Sequence, residues 1–444
     1  MLKALNYPAR LIPLAFVLAA IIGTLLLLTP WARADSSESA PLVTAAFTAV
    51  SATCITGLTV VDTATYWSPF GLVVILLLVQ MGGFGIMTLA TLMAMLVTGR
   101  IGLRSSLVVQ TESHALNVGA IKGIIKTIII TMLALEAVMA VVLGVRFYTR
   151  YDYELGSAVW YGLFHGVSAF NNSGFALYSD SFVGFSGDFV VLTPVMLLIV
   201  AGGIGFPVFH EVSRHWRRPG AWSMHTRVTM FGYVLLLVLG TIGVALLEWS
   251  NPGTLGPMSL GDKLGNSLFG GITVRTAGFS TFDYALATHE TWAMYDVLMF
   301  IGGGSAGTSG GLKVGTFIVL AAVLWSEVRG EREVAIGRRA LPADTQRQAV
   351  TVALLALGTV AIGAMALLLV TDYSLDLVLF QTLSAFGTTG LSPGITHQLP
   401  PSGQVVVMGL MFVGRVGTVT MASALALRYR HRAYRLPEER PIIG

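Results

Sequence analysis

The sequence predicts an all-α polytopic membrane protein: four tandem helix/pore-loop/helix repeats around one central pore, with eight spanning helices. Three observations carry that expectation. Of the 444 residues, 54% are hydrophobic and 11% charged, with a mean hydropathy of +0.75, whereas soluble domains carry about a quarter charged residues. Eight apolar segments are each long enough to cross a bilayer as a helix, at 11–29, 69–97, 121–145, 189–209, 228–247, 292–325, 349–370 and 405–427. Finally, a glycine set among small or hydroxylated residues recurs at Gly57, Gly174, Gly278 and Gly390, a period of roughly 110 residues.

Taken in order, the repeats are 1–113, 114–222, 223–340 and 341–444, the last ending in a cytoplasmic C-terminal tail. The first apolar segment follows Lys3 and Arg10 and precedes Ala32-Arg33-Ala34, an arrangement that imitates a cleavable signal peptide. Its run exceeds the usual signal core of about 7 to 15 residues. Cleavage would also remove a helix that the repeat needs, so the segment is expected to stay as a span. Between the two apolar segments of each repeat lies a shorter, weakly apolar stretch, at 40–53, 157–170, 262–273 and 375–386. These are too short to span and read as re-entrant.

Each short stretch runs into its glycine: Cys54-Ile55-Thr56-Gly57-Leu58, Asn171-Asn172-Ser173-Gly174-Phe175, Arg275-Thr276-Ala277-Gly278-Phe279 and Gly387-Thr388-Thr389-Gly390-Leu391. In any one loop the glycine reads as readily as a turn or a close helix contact. Four in register argue for a shared role. Irregular backbone at membrane depth is tolerated only where protein buries it or a wet cavity receives it. Glycine permits the positive φ that lets successive carbonyls point the same way, and a ring of carbonyls replaces the hydration shell of a cation. The candidate ion-binding residues are therefore Ile55, Thr56 and Gly57, Asn172, Ser173 and Gly174, Thr276, Ala277 and Gly278, and Thr388, Thr389 and Gly390. The residues before them differ, in particular Cys54 and the charged Arg275, so equal sites are not expected.

Basic residues set the orientation. The connections between repeats carry Arg100, Arg104, Lys122, Lys126, Arg214, Arg217, Arg218, Arg227, Arg329, Arg332, Arg338, Arg339 and Arg347, and the C-terminus adds further arginines. The opposite side holds Arg33, Arg146, Arg150, Lys263 and Arg275 among many acids. Both termini are then cytoplasmic, and the four loops enter from outside.

The sixth apolar segment is interrupted by Gly302, Gly303, Gly304, Ser305, Ala306, Gly307, Thr308, Ser309, Gly310 and Gly311. Each glycine costs about 0.8 to 1.0 kcal/mol relative to alanine in a helix, so a continuous helix is not expected there. The third repeat is expected to be the only one whose second helix breaks. Broken backbone facing lipid would strand amides, which places this intramembrane loop, residues 302–315, toward the pore as a gate. Arg415, inside the eighth segment, must face the interior and find acceptors, for which Ser305, Thr308 and Ser309 are suitable. Lys313 has two readings, snorkelling to the cytoplasmic surface or repelling cations at the gate. His114, His165, His210, His215 and His225 show no metal-ligand spacing and read as structural or interfacial. Asp62, Asp180, Asp283 and Asp376 concentrate cations at the mouth or are simply solvated loop charges.

Other classes are weakly supported. Cys54 is the single cysteine, which excludes a disulfide framework and a cysteine metal site. The net charge of +4 and pI near 9.2 come without a basic and aromatic surface pattern, so no nucleic acid is expected. No nucleotide-binding motif occurs, so no nucleotide belongs to this chain. A secondary transporter with broken helices predicts inverted repeats, whereas these run parallel in order. An enzyme needs a catalytic constellation in the spans, and none is convincing.

The four-unit layout resembles the Trk/Ktr/HKT superfamily of potassium transporters, most like KtrB, the membrane subunits of bacterial Ktr systems. The matching residues are Gln80-Met81-Gly82-Gly83-Phe84-Gly85-Ile86-Met87-Thr88, Ser168-Ala169-Phe170-Asn171-Asn172-Ser173-Gly174-Phe175, Thr273-Val274-Arg275-Thr276-Ala277-Gly278-Phe279 and Ser384-Ala385-Phe386-Gly387-Thr388-Thr389-Gly390, with the glycine-rich 302–315. The resemblance implies potassium as the transported ion, since glycine stands in all four filters. Serine in the first filter goes with sodium uptake in some plant members. It also implies a loop beneath the filter that obstructs the pore, with Arg415 contacting it. Further implications are a homodimer among membrane lipid in a bacterial inner (plasma) membrane, and a cytosolic nucleotide-binding ring of KtrA type. Sodium dependence or sodium permeability is the open alternative.

Overall fold

The computed structural model describes residues 8–84, 118–337 and 339–417. Residues 85–97 of the second apolar segment, the connection carrying Arg100, Arg104 and His114, residue Arg338, the end of the eighth segment and the C-terminal tail lie outside them. The described chain is mostly helical. Its helices are α1 (Pro8–Leu27), α2 (Leu42–Thr53), α3 (Pro69–Gly83), α4 (Val118–Arg150), α5 (Leu155–Phe170), α6 (Phe189–Gly203), α7 (Phe206–His215) and α8 (Met224–Glu248). They continue as α9 (Leu260–Thr273), α10 (His289–Phe300), α11 (Val314–Arg329), α12 (Ala343–Val370), α13 (Leu375–Gly387) and α14 (Pro401–Phe412). One two-stranded antiparallel ribbon, Ala335–Ile336 with Arg339–Ala340, lies between α11 and α12.

Local signals explain the helix starts. Ser68 accepts from the Gly71 amide with Pro69 at the first position of α3, Asp188 accepts from Val190 at α6, and Thr288 accepts from Thr291 at α10. Such caps satisfy amides that a helix start leaves without partners. Three helices, Lys126–Arg150 within α4, Met224–Glu248 and Ala343–Val370, are individually long and apolar enough to cross a membrane. Each leaves large apolar side chains on its outer face, including Val141, Leu246 and Leu369. An apolar outer surface is what hydrocarbon requires.

The short helices sit inside. Each packs on the helix before it: α2 on α1, α5 on α4, α9 on α8 and α13 on α12. The helix after each loop packs on the next short helix, α3 on α5, α6 on α9 and α10 on α13, and α14 returns to α2. The arrangement therefore closes on itself. Buried apolar clusters fill these contacts. One joins Ala45 and Ile75 to Phe164 and Phe175, a second Phe170 and Ile199 to Phe269 and Phe279. A third joins Val274 and Met299 to Phe380 and Phe386, and a fourth Phe386's neighbour Ala385 and Met411 to Phe47 and Leu58.

The expectation of a single broken helix is corrected. The fourth apolar segment, 189–209, is not one span: α6 ends at Gly203, and α7 leaves at 108°. Gly205 between them has φ +91°, and a Cβ there would strike the Ser305 carbonyl. The glycine lets the chain turn away where the 302–315 segment presses against it. The eighth segment is also irregular, with a π-helical turn at Val413–Gly417 following α14.

Candidate functional site

The four glycine loops share one backbone. Each short helix ends and is followed by a left-handed residue, Ile55 (φ +51°), Asn172 (+55°), Thr276 (+79°) and Thr388 (+51°). Two residues on, Gly57 (+85°), Gly174 (+72°), Gly278 (+75°) and Gly390 (+89°) are left-handed again. Non-glycine residues adopt this conformation rarely and at a cost of about 1–3 kcal/mol each. The strain is held by hydrogen bonds back to the short helices: Thr56 N–H to Ser51 O (2.8 Å), Ser173 to Ser168 (2.9 Å), Ala277 to Thr273 (2.9 Å) and Thr389 to Ser384 (2.8 Å). Hydroxyls clamp three of the loops from behind, Ser51 to Leu58 O (2.7 Å), Ser168 to Phe175 O (2.6 Å) and Thr273 to Phe279 O (2.7 Å). The corresponding Ser384 hydroxyl has no partner among the described residues.

The glycines meet. A Cβ on Gly57 would strike the Ser173 carbonyl oxygen and approach Gly174 Cα at 2.9 Å; one on Gly174 would lie 3.1 Å from Gly278 Cα. One on Gly278 would lie 3.2 Å from Gly390 Cα, and one on Gly390 would strike the Thr56 carbonyl oxygen. The four loops thus form one closed ring, and no side chain longer than hydrogen fits at its four corners. In each loop the backbone is left-handed at two positions, the glycine and the residue two before it. No acidic side chain stands within the loops. All twelve candidate residues of the sequence reading lie in this ring or directly against it.

Behind the ring the four units diverge at the residue before each left-handed position. Cys54 is buried among apolar side chains. Asn171 donates through Nδ2 to Gln80 Oε1 (3.1 Å) and to Glu136 Oε1 (3.1 Å), while Gln80 Nε2 donates to both Glu136 oxygens (3.3 and 3.2 Å). Glu136 is 2% exposed inside α4, and the sequence reading passed over it, although a charge inside an apolar run is the same signal that singled out Arg415. Arg275, counted above among outward-facing charges, is wholly buried instead. Its Nη1 donates to Tyr233 O (3.0 Å), its Nη2 to Gly302 O (2.8 Å), and the guanidinium lies 4.2 Å from the Tyr233 ring centre. A charge count along the sequence sees that an arginine is near the mouth but not which way it points. At the fourth position, Gly387 leaves no room for a side chain beside Met299 O.

The glycine-rich segment between α10 and α11 has no helix, as its composition implied. It is stitched to the interrupted helices around it. Gly304 N–H donates to Gly203 O (2.8 Å) and Thr308 N–H to Gly202 O (3.2 Å), so the segment caps the C-terminal carbonyls of α6. Gly311 N–H donates to Gly414 O (3.3 Å) in the π-turn. Its own ends close through Gly302 N–H to Leu312 O (2.8 Å) and Val314 N–H to Gly303 O (3.1 Å). Gly310 lies so close to Thr388 that a Cβ would strike the threonine hydroxyl, which puts the segment directly against the ring.

Arg415 is 2% exposed. Its Nη1 donates to the Thr308 carbonyl and its Nη2 to Gly82 O (2.8 Å) at the end of α3. One of the three acceptor residues expected for it, Thr308, is the one used. The Ser305 carbonyl and Gly307 instead lie against Gly205, and Ala306 between them is left-handed at φ +57°. Lys313 donates to the Ser309 carbonyl, so it also holds the segment. His165 is buried with Nδ1 on Tyr161 O (2.8 Å) and Nε2 accepting from Leu177 N–H (3.1 Å), a structural role. Asp62 and Asp283 cap short helical turns through Ala64 and Ala285. Among the described residues no group of acids, histidines and cysteine has metal-binding geometry.

Known proteins resemble this chain over most of its length. The family model described as TrkH, cation transport protein, matches residues 12–430. The Ktr system potassium uptake protein B of Bacillus subtilis (strain 168) is 37% identical over 421 residues, 94% of this chain and 93% of that one. The potassium/sodium uptake protein NtpJ of Enterococcus hirae is 32% identical over 98% of this chain and 97% of its own length. The crystal structure of the potassium transporter TrkH from Vibrio parahaemolyticus superposes with a TM-score of 0.70 at 17% identity, over 93% of this chain and 84% of that one.

Proposed function

The chain belongs to the TrkH cation transport protein family, a family of multi-pass membrane transporters and not of enzymes, and on that premise we propose that it takes up potassium through the ring of four glycine loops. The observation that carries the reading is the ring itself, with left-handed residues at Ile55, Asn172, Thr276 and Thr388 and glycines in mutual contact at 57, 174, 278 and 390. The four loops belong to four tandem helix/pore-loop/helix units, with eight spans and both termini cytoplasmic. An entering ion exchanges water for backbone carbonyls of the twelve filter residues, held in place by the short helices behind them. The filter is rigid because each loop is bonded to its own helix and wedged against the next loop.

Below the ring, the 302–315 segment is the gate. Seated, it supplies amides to α6 and accepts from Arg415 and Lys313, so it closes the path by making bonds that the interrupted helices need. Opening requires another source of free energy. A cytosolic nucleotide-binding ring of KtrA type, docked on the basic cytoplasmic side of a homodimer, supplies it. The names of the Ktr relatives support a system of more than one component.

Sodium-permeable or sodium-coupled transport is the second reading, favoured by the relative named for both ions. The test is uptake by purified protein in lipid vesicles with sodium and rubidium in competition, wild type against Gly57→Ser. Wild type is expected to prefer potassium and rubidium over sodium. The serine is forced into φ +85° against the Ser173 carbonyl, which should open the ring and erase most of that preference. Equal potassium and sodium uptake by wild type would remove the selectivity claim, and no cation uptake with the partner present would remove the function.

A further inference from the structure

Three protein cations hold the glycine-rich segment: Arg415 at Thr308, Lys313 at Ser309 and Arg275 at Gly302. The third differs from the others in where its backbone lies. Arg275 immediately precedes Thr276-Ala277-Gly278 and so is part of the third loop of the ring, while its guanidinium reaches the first glycine of the segment. Among the corresponding positions Cys54, Asn171, Arg275 and Gly387, an arginine stands only in the unit that carries the long segment.

The chemistry is that of a two-ended tie. The guanidinium is fully buried and has no carboxylate partner among the described residues. Two carbonyl dipoles and the Tyr233 ring face balance it. Its Nε has no acceptor among the described residues, so nothing else fixes the head group. A planar fork bridges two acceptors and stacks on a ring at once, which a lysine ammonium does not do. Gly302 is itself fixed from the other side by its N–H to Leu312 O. The Tyr233 hydroxyl lies where a Cβ of Gly203 would come within 2.8 Å, and the Gly203 carbonyl accepts from Gly304. Segment, α8 and third loop are therefore joined through one side chain.

We propose that Arg275 is a positioning residue that sets the third filter loop according to whether the 302–315 segment is seated, so that ion preference in the ring and closure of the segment are coupled. The proposal rests on the transport reading above. When the segment leaves, Gly302 is withdrawn, and a buried cation must find a new acceptor beside the filter. The loop that carries it shifts with it. Coupling of this kind is reciprocal, so ions in the ring also favour one position of the segment.

The test uses the full chain in vesicles, with Arg275→Lys made both in the intact protein and in a variant lacking residues 302–311, which removes the Gly302 acceptor. Rubidium uptake against sodium competition gives the ion preference of each. Coupling predicts that Arg275→Lys lowers the preference about fivefold or more in the intact protein and changes it little in the shortened one. An equal loss in both, or no loss in the intact protein, overturns the proposal, because independent effects multiply. Potassium-dependent rise in melting temperature, measured in the same four proteins, decides the point where a variant does not transport: ion binding to the folded state raises stability, and the same non-additivity is expected. Wild-type protein without cation uptake would sink the transport reading, while the melting series would still show whether Arg275 links ring and segment.

Discussion

Glu136 sits in the middle of a spanning helix with amide donors from Gln80 and Asn171 as its partners among the described residues. A polar residue at that depth is costly unless it does something. Here it holds Asn171, the residue before the left-handed Asn172 of the second loop. Glu136→Gln keeps an acceptor and should leave stability nearly unchanged. Glu136→Leu leaves the Gln80 amide without its acceptor, at about 1–3 kcal/mol, and leaves Asn171 only Gln80 Oε1 and Val167 O, and should lower the melting temperature and slow rubidium uptake. A leucine variant as stable and as fast as wild type would show that the carboxylate does not support the loop. Residues of this kind were the ones missed in the sequence. Gly57, Gly174, Gly278 and Gly390 could be found because they recur, and Arg415 because a charge interrupts an apolar run. Glu136 gives the same signal as Arg415 and was passed over, and Arg275 was misread because its side chain turns inward from a position near the mouth.

At the scale of elements, the interrupted helices and the segment that caps them form one unit. The glycine run at 302–311 announced its own break through composition. The break at Gly203 carried the same kind of signal in Gly202-Gly203-Ile204-Gly205 and Pro207, but in a cluster short enough to read as part of one apolar span. At the bend the 302–315 segment packs against the chain, with the Ser305 carbonyl where a Cβ of Gly205 would lie. Arg415 spans the closure, bonding the segment at Thr308 and α3 at Gly82. Charged hydrogen bonds contribute about 1.5–3 kcal/mol each, so Arg415→Ala should favour the open segment by tenfold or more and raise uptake in the absence of the partner. Uptake unchanged both with and without the partner would separate Arg415 from the gate. A Gly205→Ala variant should be harder to tolerate than Gly358→Ala in α12, because Gly205 has φ +91° against Ser305 while Gly358 has open space beside it. Similar melting temperatures for the two would argue against the bend at Gly205 being required.

The whole molecule closes as a ring in which each helix after a loop supports the next short helix, with α14 returning to α2. Its buried clusters lie in these seams, so the ring of loops is set by packing contributed by every part of the chain. The apolar composition made a helical membrane fold legible from the sequence, and the apolar, short, glycine, apolar order led to the four loops that the structure brings together. What order alone could not give is the angle at which the parts meet. The most direct measurement is the anomalous signal of thallium or rubidium ions in crystals of the protein grown with either ion in place of potassium. Ion density on the axis enclosed by the carbonyls of residues 55–57, 172–174, 276–278 and 388–390 is the predicted result. Bound ions found only away from that axis, with the four loops not enclosing any, would contradict it.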